Sequence, residues 1–310
     1  MNPNIGHGSP IGEFALRLDR DNAGENSTLP TSHGLLAEWS CGAATIKHAL
    51  DSTANIALSD DSISIWGVGL EWPESEIEVA AEILSSDEQK RAKRFHRISD
   101  RKHFIVARAA LRLILTRYLN VDPRQISFDY NAFGKPRLMD GTHYPDLRFS
   151  LAHSSGVALY AFAIGREIGV DLELIEPDFA TMNLARSVFA PEEVTALSAL
   201  SNEDFVGGFY RCWTRKEAYV KANGLGLSLP LGSFVVSVAP PNGTPLLLAD
   251  SNETGEYTRW MLMDVVVGQG FAATLAVEWQ TQFPLATGHT NLRQQHDELP
   301  GMRQFVFEEA

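Results

Sequence analysis

The sequence has few cysteines and no long apolar run. Its two cysteines, Cys41 and Cys212, lie far apart and form no Cys-x-x-Cys spacing, which argues against a disulfide framework and against a structural zinc site. No segment approaches the roughly 18 consecutive apolar residues that a membrane-spanning helix needs, and the first residues lack the basic start and apolar core of a signal peptide. We therefore expect a cytoplasmic protein with no membrane segment.

Basic residues are also scarce. The chain has 26 Lys and Arg against 39 Asp and Glu, a formal net charge of −13, and this disfavours a nucleic-acid partner because phosphate backbones are bound by an excess of cations. The exception is residues 90–117, where ten Lys and Arg are opposed only by Asp100. Most of these side chains could simply be solvated helix surface. A local basic surface on an acidic protein nevertheless suits a small anionic ligand or one acidic partner.

The pattern of apolar residues predicts two similar halves. Residues 1–61 show no sustained periodicity and are expected to be a poorly ordered N-terminal extension, whereas residues 62–68 alternate as a half-buried strand does. A serine cap at residues 85–86 announces a helix, and a longer helix is expected over about 100–118 before a series of strands. The same plan then starts again. We predict an α+β fold with a pseudo-twofold pair of α/β lobes, the ligand site between them and a polar, peripheral tail; the expected boundaries are 62–165, 166–280 and 281–310.

Two acidic residues on one predicted strand suggest a metal site. Asp171 and Glu173 are two residues apart, so their side chains project from the same face, while Val170 and Leu172 face the core. Paired carboxylates suit Mg²⁺, which takes one or two of them and completes its octahedron with waters and substrate phosphates. The alternative is an ordinary amphipathic strand with a solvated acidic face.

A second polar pair lies on the last long helix. Glu217 and Lys221 are four residues apart and share a helix face. By itself this spacing is equally typical of a surface ion pair of about 0.3–0.5 kcal/mol.

Taken together, these segments resemble a family signature. Val/Ile-Gly-Val/Ile-Asp-x-Glu, followed by Trp-Ser/Thr-x-Lys-Glu-Ala/Ser-x-x-Lys, is typical of 4′-phosphopantetheinyl transferases, and residues 168–173 and 213–221 match each position. Further matches resemble the larger, Sfp-type members of that superfamily. They are Phe-Gly-Lys-Pro at 133–136, Phe-Ser-Leu-Ala-His-Ser at 149–154 and Gly-Leu-Gly-Leu-Ser-Leu-Pro-Leu at 224–231.

The resemblance implies roles for individual residues. Asp171, Glu173 and Glu217 would bind a Mg²⁺ held by the diphosphate of coenzyme A, and Lys221 would face the same phosphates. The implied coenzyme A contacts are Arg97, Gly134, Lys135, Pro136, His153 and Lys221. Without the resemblance, His153 would be an ordinary histidine at a strand end, and residues 134–136 a plain turn. Ala152 departs from the family, where many members have serine, and so loses any hydroxyl contact at that position.

The implied activity is transfer of 4′-phosphopantetheine from coenzyme A to a serine of an apo carrier protein, with release of adenosine 3′,5′-bisphosphate. Glu217 would act as the base, directly or through a bound water, and Lys221 would stabilise charge on the phosphates. Carriers of this system are generally acidic, so part of the basic stretch could dock the partner; a monomer is expected. Two alternatives stay open at this point: a non-catalytic module that binds coenzyme A or a carrier, and a magnesium-dependent nuclease.

Overall fold

The structure, a computed structural model, describes residues 58, 62–139, 146–240, 247–250, 260–278, 291–295 and 302–308. The expected extension over residues 1–61 lies almost wholly outside the described residues. The α-helices and strands of the described part are, in chain order, β1 (Ser62–Gly69), α1 (Glu74–Glu82), α2 (Ser86–Ala92), α3 (Ile98–Leu119), β2 (Phe128–Tyr130), β3 (Pro136–Leu138), β4 (Leu147–Ser154), β5 (Val157–Ile164), β6 (Ile168–Leu174), α4 (Met182–Val188), α5 (Pro191–Ser198), α6 (Asn202–Asn223), β7 (Phe234–Val236), β8 (Leu247–Asp250), β9 (Trp260–Asp264), β10 (Phe271–Glu278), β11 (Asn291–Gln295) and β12 (Met302–Glu308).

The helix ends follow from local sequence signals. Helix α2 begins with a capping box, in which the Ser85 N–H donates to Glu88 Oε2 at 3.0 Å. Helix α3 ends at Asn120, whose φ of 51° is left-handed, and α6 ends at Gly224 with a φ of 75°. The structure confirms the predicted helices near 85–88 and 100–118, the last long helix with Glu217 and Lys221, and the strand at 62–68.

The strands form antiparallel sheets. One has the order β11-β12-β1-β5-β4 and the other β6-β10-β9, while β2-β3 and β7-β8 form separate two-stranded pairs. Helices combined with antiparallel sheets confirm the α+β class. The tail was expected to be peripheral, but residues 302–308 pair with residues 62–68 of β1. The run Phe-Val-Phe at 305–307 has strong strand propensity, which is the physical reason for this pairing.

Element order repeats along the chain. From β1 to β5, and again from β6 to β10, a strand is followed by three helices, a two-stranded pair and two more strands. In each repeat the first strand pairs with the last, as β1 with β5 and β6 with β10. Both long helices, α3 and α6, contain 22 residues.

Three apolar clusters hold these elements together. Helices α1, α2 and α3 pack with β1, β4 and β5 around Trp66, Leu111 and Phe162. Helices α5 and α6 pack with β7, β9 and β10 around Phe209 and Tyr219. The third cluster contains residues from both sheets, on β1, β5, β6 and β10. The shared cluster covers one side of β6 and helix α6 packs on the other, so β6 is covered on both sides.

The basic stretch is not one continuous surface. Arg108, Arg112 and Arg117 are buried, so the expectation of a basic surface is wrong for these three. Arg112 donates to Glu88 Oε2 at 2.8 Å and to the carbonyl oxygens of Pro123 and Ile126. A buried cation of this kind is stabilised by filled hydrogen bonds and not by a ligand. The exposed cations lie on α2, on the α2–α3 connection and at the start of α3.

No α-helix in the described residues combines the length and the apolar character that crossing a membrane requires.

Candidate active site

The site is built where β6 touches α6. At Gly169 the two backbones are so close that a Cβ would lie 2.1 Å from the Ala218 carbonyl oxygen and 2.4 Å from the Ala222 nitrogen. Only glycine permits this approach. Since alternate residues of a strand share a face, Asp171 and Glu173 follow Gly169 on the side of β6 that α6 covers. The alternative of a solvated acidic face is therefore wrong, as Asp171 is buried beneath the helix.

Asp171 meets a cation from the helix. Lys221 Nζ donates to Asp171 Oδ1 at 2.6 Å, which joins the strand motif to the helix motif across 50 residues of sequence. The other oxygen, Oδ2, is buried and has no hydrogen-bond partner among the described residues. A buried carboxylate oxygen with no donor is costly unless a further ligand binds it. A bound cation would supply the partner that this oxygen lacks.

The other two carboxylates titrate abnormally. Burial, followed by the charge of Asp171, raises the pKa of Glu173 to about 7, against the opposing effects of Lys221 and of a hydrogen bond from Ser154. Burial and the charge of Asp171 likewise raise the pKa of Glu217, against the effect of Lys221. The pKa of Glu173 is raised by both Asp171 and Glu217, and that of Glu217 by Asp171, so these electrostatic effects link the three carboxylates with Lys221.

The cluster has the chemistry of a Mg²⁺ site. It offers only hard carboxylate oxygens, one of them the unpartnered Oδ2 of Asp171, as Mg²⁺ prefers. Across the described residues, no three acidic, histidine or cysteine side chains are already gathered in the geometry of a formed metal site. Like charges repel, so carboxylates close on a common point when a cation lies between them. The residues present therefore fit the ion in chemical type.

The predicted histidine lies beside this cluster. His153 is near the end of β4, and a partial loss of water contact, followed by the charges of Lys221 and His103, lowers its pKa. Its neighbour His103 on α3 contacts Glu71 Oε1 at 2.5 Å. His153 thus lies within electrostatic reach of Lys221, whose positive charge suits an anion.

Two serines of β4 connect the sheets at this point. Ser150 Oγ accepts the Val170 N–H at 3.1 Å and Ser154 Oγ accepts the Leu174 N–H at 3.0 Å, so hydroxyls replace a backbone ladder between β4 and β6. Ser154 also donates to Glu173 Oε2 at 3.4 Å. The sequence analysis assigned no role to either serine, although both lie in the motif at 149–154. Between them, Ala152 is buried in the shared apolar cluster, where alanine packs well.

The remaining predicted residues lie farther from the carboxylates. Lys135 Nζ donates to Glu167 Oε2 at 2.7 Å and to the Ala222 carbonyl oxygen at 2.9 Å, so it covers the C-terminal end of α6. Asn131 makes a similar contact with the Gly224 carbonyl oxygen. Gly134, with a φ of 87°, forms the turn before Pro136 in β3. Arg97 is exposed at the start of α3. None of these has a described contact with Asp171, Glu173 or Glu217.

The raised pKa of Glu173 predicts a pH dependence of stability. A folded-state pKa of about 7 lies above the ordinary value of 4.5, so the favourable contribution is complete below about pH 4.5 and is lost as the pH rises through 7. In a chelator, Glu173→Gln should therefore reduce the loss of unfolding free energy between pH 5 and pH 8 by about 1–2 kcal/mol, since solvent screens part of the effect at this half-buried side chain. Urea denaturation at several pH values measures this. The exposed Glu176→Gln is the matched control, and equal pH dependence of wild type and Glu173→Gln would contradict the prediction.

Comparison with known proteins assigns the family. A family model described as "4′-phosphopantetheinyl transferase superfamily" matches residues 167–276, and one described as "4′-phosphopantetheinyl transferase, N-terminal" matches residues 71–163. The two ranges adjoin between β5 and β6, where the element order starts to repeat.

Individual relatives agree. The chain is 37% identical over 237 residues to 4′-phosphopantetheinyl transferase HetI of Nostoc sp., covering 76% of this chain and 96% of that protein. It is 28% identical over 192 residues to 4′-phosphopantetheinyl transferase Sfp of Bacillus subtilis, covering 61% and 83%. It is also 26% identical over 212 residues to L-aminoadipate-semialdehyde dehydrogenase-phosphopantetheinyl transferase of Xenopus laevis, covering 62% and 69%. With both signature segments meeting where β6 contacts α6, and with this similarity along most of its length, the chain belongs to the 4′-phosphopantetheinyl transferase superfamily.

Proposed function

We propose that this chain transfers the 4′-phosphopantetheine group of coenzyme A to a serine of an apo carrier protein, releasing adenosine 3′,5′-bisphosphate. The observation that carries the proposal is the meeting of Asp171 on β6 with Lys221 on α6, within the electrostatic reach of Glu173 and Glu217. Family membership gives the reaction class. The chain's own side chains supply the acidic and basic groups that this reaction requires.

Asp171, Glu173 and Glu217 would hold Mg²⁺ against the diphosphate of coenzyme A. When bound, this ion neutralises phosphate charge and orients the phosphorus for attack. Lys221 lies at the same place with its ammonium on Asp171, so it is positioned to donate a further hydrogen bond to a phosphate oxygen. A cation fixed where charge develops stabilises the transition state.

Glu217 is the proposed base. The hydroxyl oxygen of the carrier serine forms a bond to the pantetheine-side phosphorus, the bond from that phosphorus to the adenosine bisphosphate breaks, and the serine proton goes to a carboxylate. The raised pKa of Glu217, caused first by burial and then by Asp171, makes it a stronger base than an exposed glutamate. Partial burial also excludes water that could compete with the serine.

The nucleotide would lie against the first repeat. We propose that the two repeats form lobes related by a pseudo-twofold axis, with coenzyme A between them. His153, at the end of β4, and Lys221 would face its phosphates, with Arg97 a further phosphate contact at the start of α3. The turn of Gly134, Lys135 and Pro136 would contact the nucleotide through its backbone, because the Lys135 ammonium already contacts Glu167 and the end of α6.

The carrier would dock beside the exposed cations. Lys93, Arg94 and Arg101 are exposed and together suit an acidic partner. Because both repeats lie in one chain, a monomer would contain a complete site. Charge reversal at Arg94 or Arg101 would then weaken carrier docking and its dependence on salt.

The deciding experiment is intact-mass spectrometry of a panel of apo carrier proteins incubated with this chain and coenzyme A. A carrier mass increased by one phosphopantetheine group, with Mg²⁺ present, is the expected result. A carrier whose acceptor serine is replaced by alanine is the control for the modified position. A parallel reaction in chelator tests the ion, and transfer of undiminished rate there would contradict the Mg²⁺ assignment. No modification of any carrier in the panel would count against the proposed activity.

A further inference from the structure

The residue before the proposed base belongs to a buried ion pair. Lys216, the residue before Glu217, is completely buried, and its Nζ lies 2.8 Å from Glu193 Oε1. The same ammonium donates to the carbonyl oxygens of Leu231 at 2.6 Å and Phe234 at 2.5 Å. All three N–H groups of the ammonium are thereby used, and none of them is directed at the proposed active site.

Both carboxylate oxygens of Glu193 also accept hydrogen bonds from the backbone. Its Oε2 accepts the Ala190 N–H at 2.8 Å, at the start of α5, and its Oε1 accepts the Val236 N–H at 2.7 Å, on β7. Through Lys216 this carboxylate therefore ties α6 to both α5 and β7. A buried pair with satisfied hydrogen bonds has one geometry, because every departure leaves an unpaired charge in the interior.

The pair controls the rotation of α6 about its axis. Successive helix residues differ by about 100° in direction, so Lys216 points away from the face that carries Glu217 and Lys221. Arg215 is fixed on another side by Asp264 on β9, with N–O distances of 2.9 and 2.8 Å, and Thr214 contacts Thr274 on β10 at 2.9 Å. A rotation of about 10° would move a carboxylate some 6 Å from the axis by about 1 Å, the scale on which catalytic geometry is lost.

The first repeat contains a similar buried pair, on a long helix that carries none of the three proposed metal-binding carboxylates. Glu88 accepts the Ser85 N–H at the start of α2 and pairs with Arg112 on α3, which donates to the carbonyl oxygens of Pro123 and Ile126 ahead of β2. The residue after Arg112 is Leu113, a core residue, in the place that Glu217 has after Lys216. The chain thus provides a matched internal control for a buried pair of this design.

We propose that Glu193 and Lys216 are positioning residues, whose ion pair holds α6 in the rotation that places Glu217 and Lys221 opposite Asp171. This role rests on the proposed transferase function. It differs from a purely structural role because loss of the pair should lower kcat beyond what the loss of stability explains.

The test compares two double variants. Glu193→Gln with Lys216→Met removes both charges of the second repeat, and Glu88→Gln with Arg112→Met removes both charges of the first. Both should lower Tm to a similar extent. Activity is compared at a temperature where each variant is folded. We expect Glu193→Gln with Lys216→Met to lower kcat for carrier modification by about 10- to 100-fold, with KM for coenzyme A changed less than ~3-fold. Glu88→Gln with Arg112→Met should leave kcat within ~3-fold of wild type. The single variant Lys216→Arg keeps a cation of the type found in the first repeat, so it should retain most of the wild-type kcat.

Equal effects of the two double variants on kcat, or a wild-type kcat in the first, would overturn the positioning role while leaving the transferase function intact. If the first double variant does not fold, Glu193→Asp against Glu88→Asp decides in the same way, since each shortens one buried carboxylate by a methylene. A wild-type chain that modifies no carrier would instead contradict the proposed function itself.

Discussion

Replacing Gly169 with alanine should abolish carrier modification and destabilise the protein by at least ~3 kcal/mol. The added methyl group would lie 2.1 Å from the Ala218 carbonyl oxygen and 2.4 Å from the Ala222 nitrogen, and both are backbone atoms of α6 that no side-chain rotation can move. Either α6 shifts away from β6 or the fold is lost. In both cases Lys221 leaves Asp171, so the contact on which the site depends is broken. Urea denaturation and the mass-spectrometric assay measure the two effects.

Gly207→Ala is the matched control for this prediction. Gly207 lies on α6, the helix that packs on Gly169. A methyl group at Gly207 would contact only the end of the flexible Arg211 side chain, at 3.1 Å. Alanine favours the helix by up to about 1 kcal/mol over glycine, so this variant should be as stable as wild type or slightly more so. If Gly169→Ala kept full activity, the close packing of β6 on α6 would not be what assembles the site.

Replacing Glu217 with glutamine should lower kcat by about 10²–10⁴-fold while the protein stays folded. Glutamine has nearly the same shape as glutamate but cannot take the proton of the carrier serine. Because burial and Asp171 raise the pKa of Glu217, removing its charge relieves repulsion in the cluster, and the stability should not fall. Single-turnover kinetics with an apo carrier measure the first expectation and thermal unfolding the second.

The exposed Glu203→Gln, in the first turn of the same helix, is the control for a general effect of charge on α6. It should retain the wild-type rate. Near-normal turnover of Glu217→Gln would remove Glu217 from the role of base, and the proton would then have to go to another group of the cluster.

Local sequence patterns predicted much of the fold. The cap at Ser85, the apolar period of α3 and α6, and the alternation in β1 depend on neighbouring residues alone, so they could be recognised without coordinates. Helices α1 and α4 were not predicted, and α4 contains only 7 residues. Strand β12 was not predicted, although the Phe-Val-Phe run at 305–307 favours a strand. Its pairing with β1, more than 200 residues away in the sequence, could not be recognised from local sequence.

The charged residues show more clearly which features a local sequence pattern predicts and which it does not. Ten cations between residues 90 and 117 look alike in the sequence, yet Arg112 is a buried structural residue while Arg101 is exposed. Burial was decided by the partners available, namely Glu88 and two loop carbonyl oxygens for Arg112. Lys216 and Lys221 differ in the same way, although both belong to one motif. Spacing along a helix gives a direction but not the chemistry that a neighbouring element presents there.

By itself, the sequence determined the acidic and basic residues of the site, the strand and helix that carry them, and the resemblance to the transferase family, because these depend on residue type and short-range spacing. Only the tertiary structure decided that β6 and α6 pack backbone to backbone at Gly169 and that Lys221 donates to Asp171. It also decided that Lys216 faces away from the proposed active site and pairs with Glu193. These contacts join residues 23 to 53 positions apart, and their geometry is set by the packing of whole helices and strands.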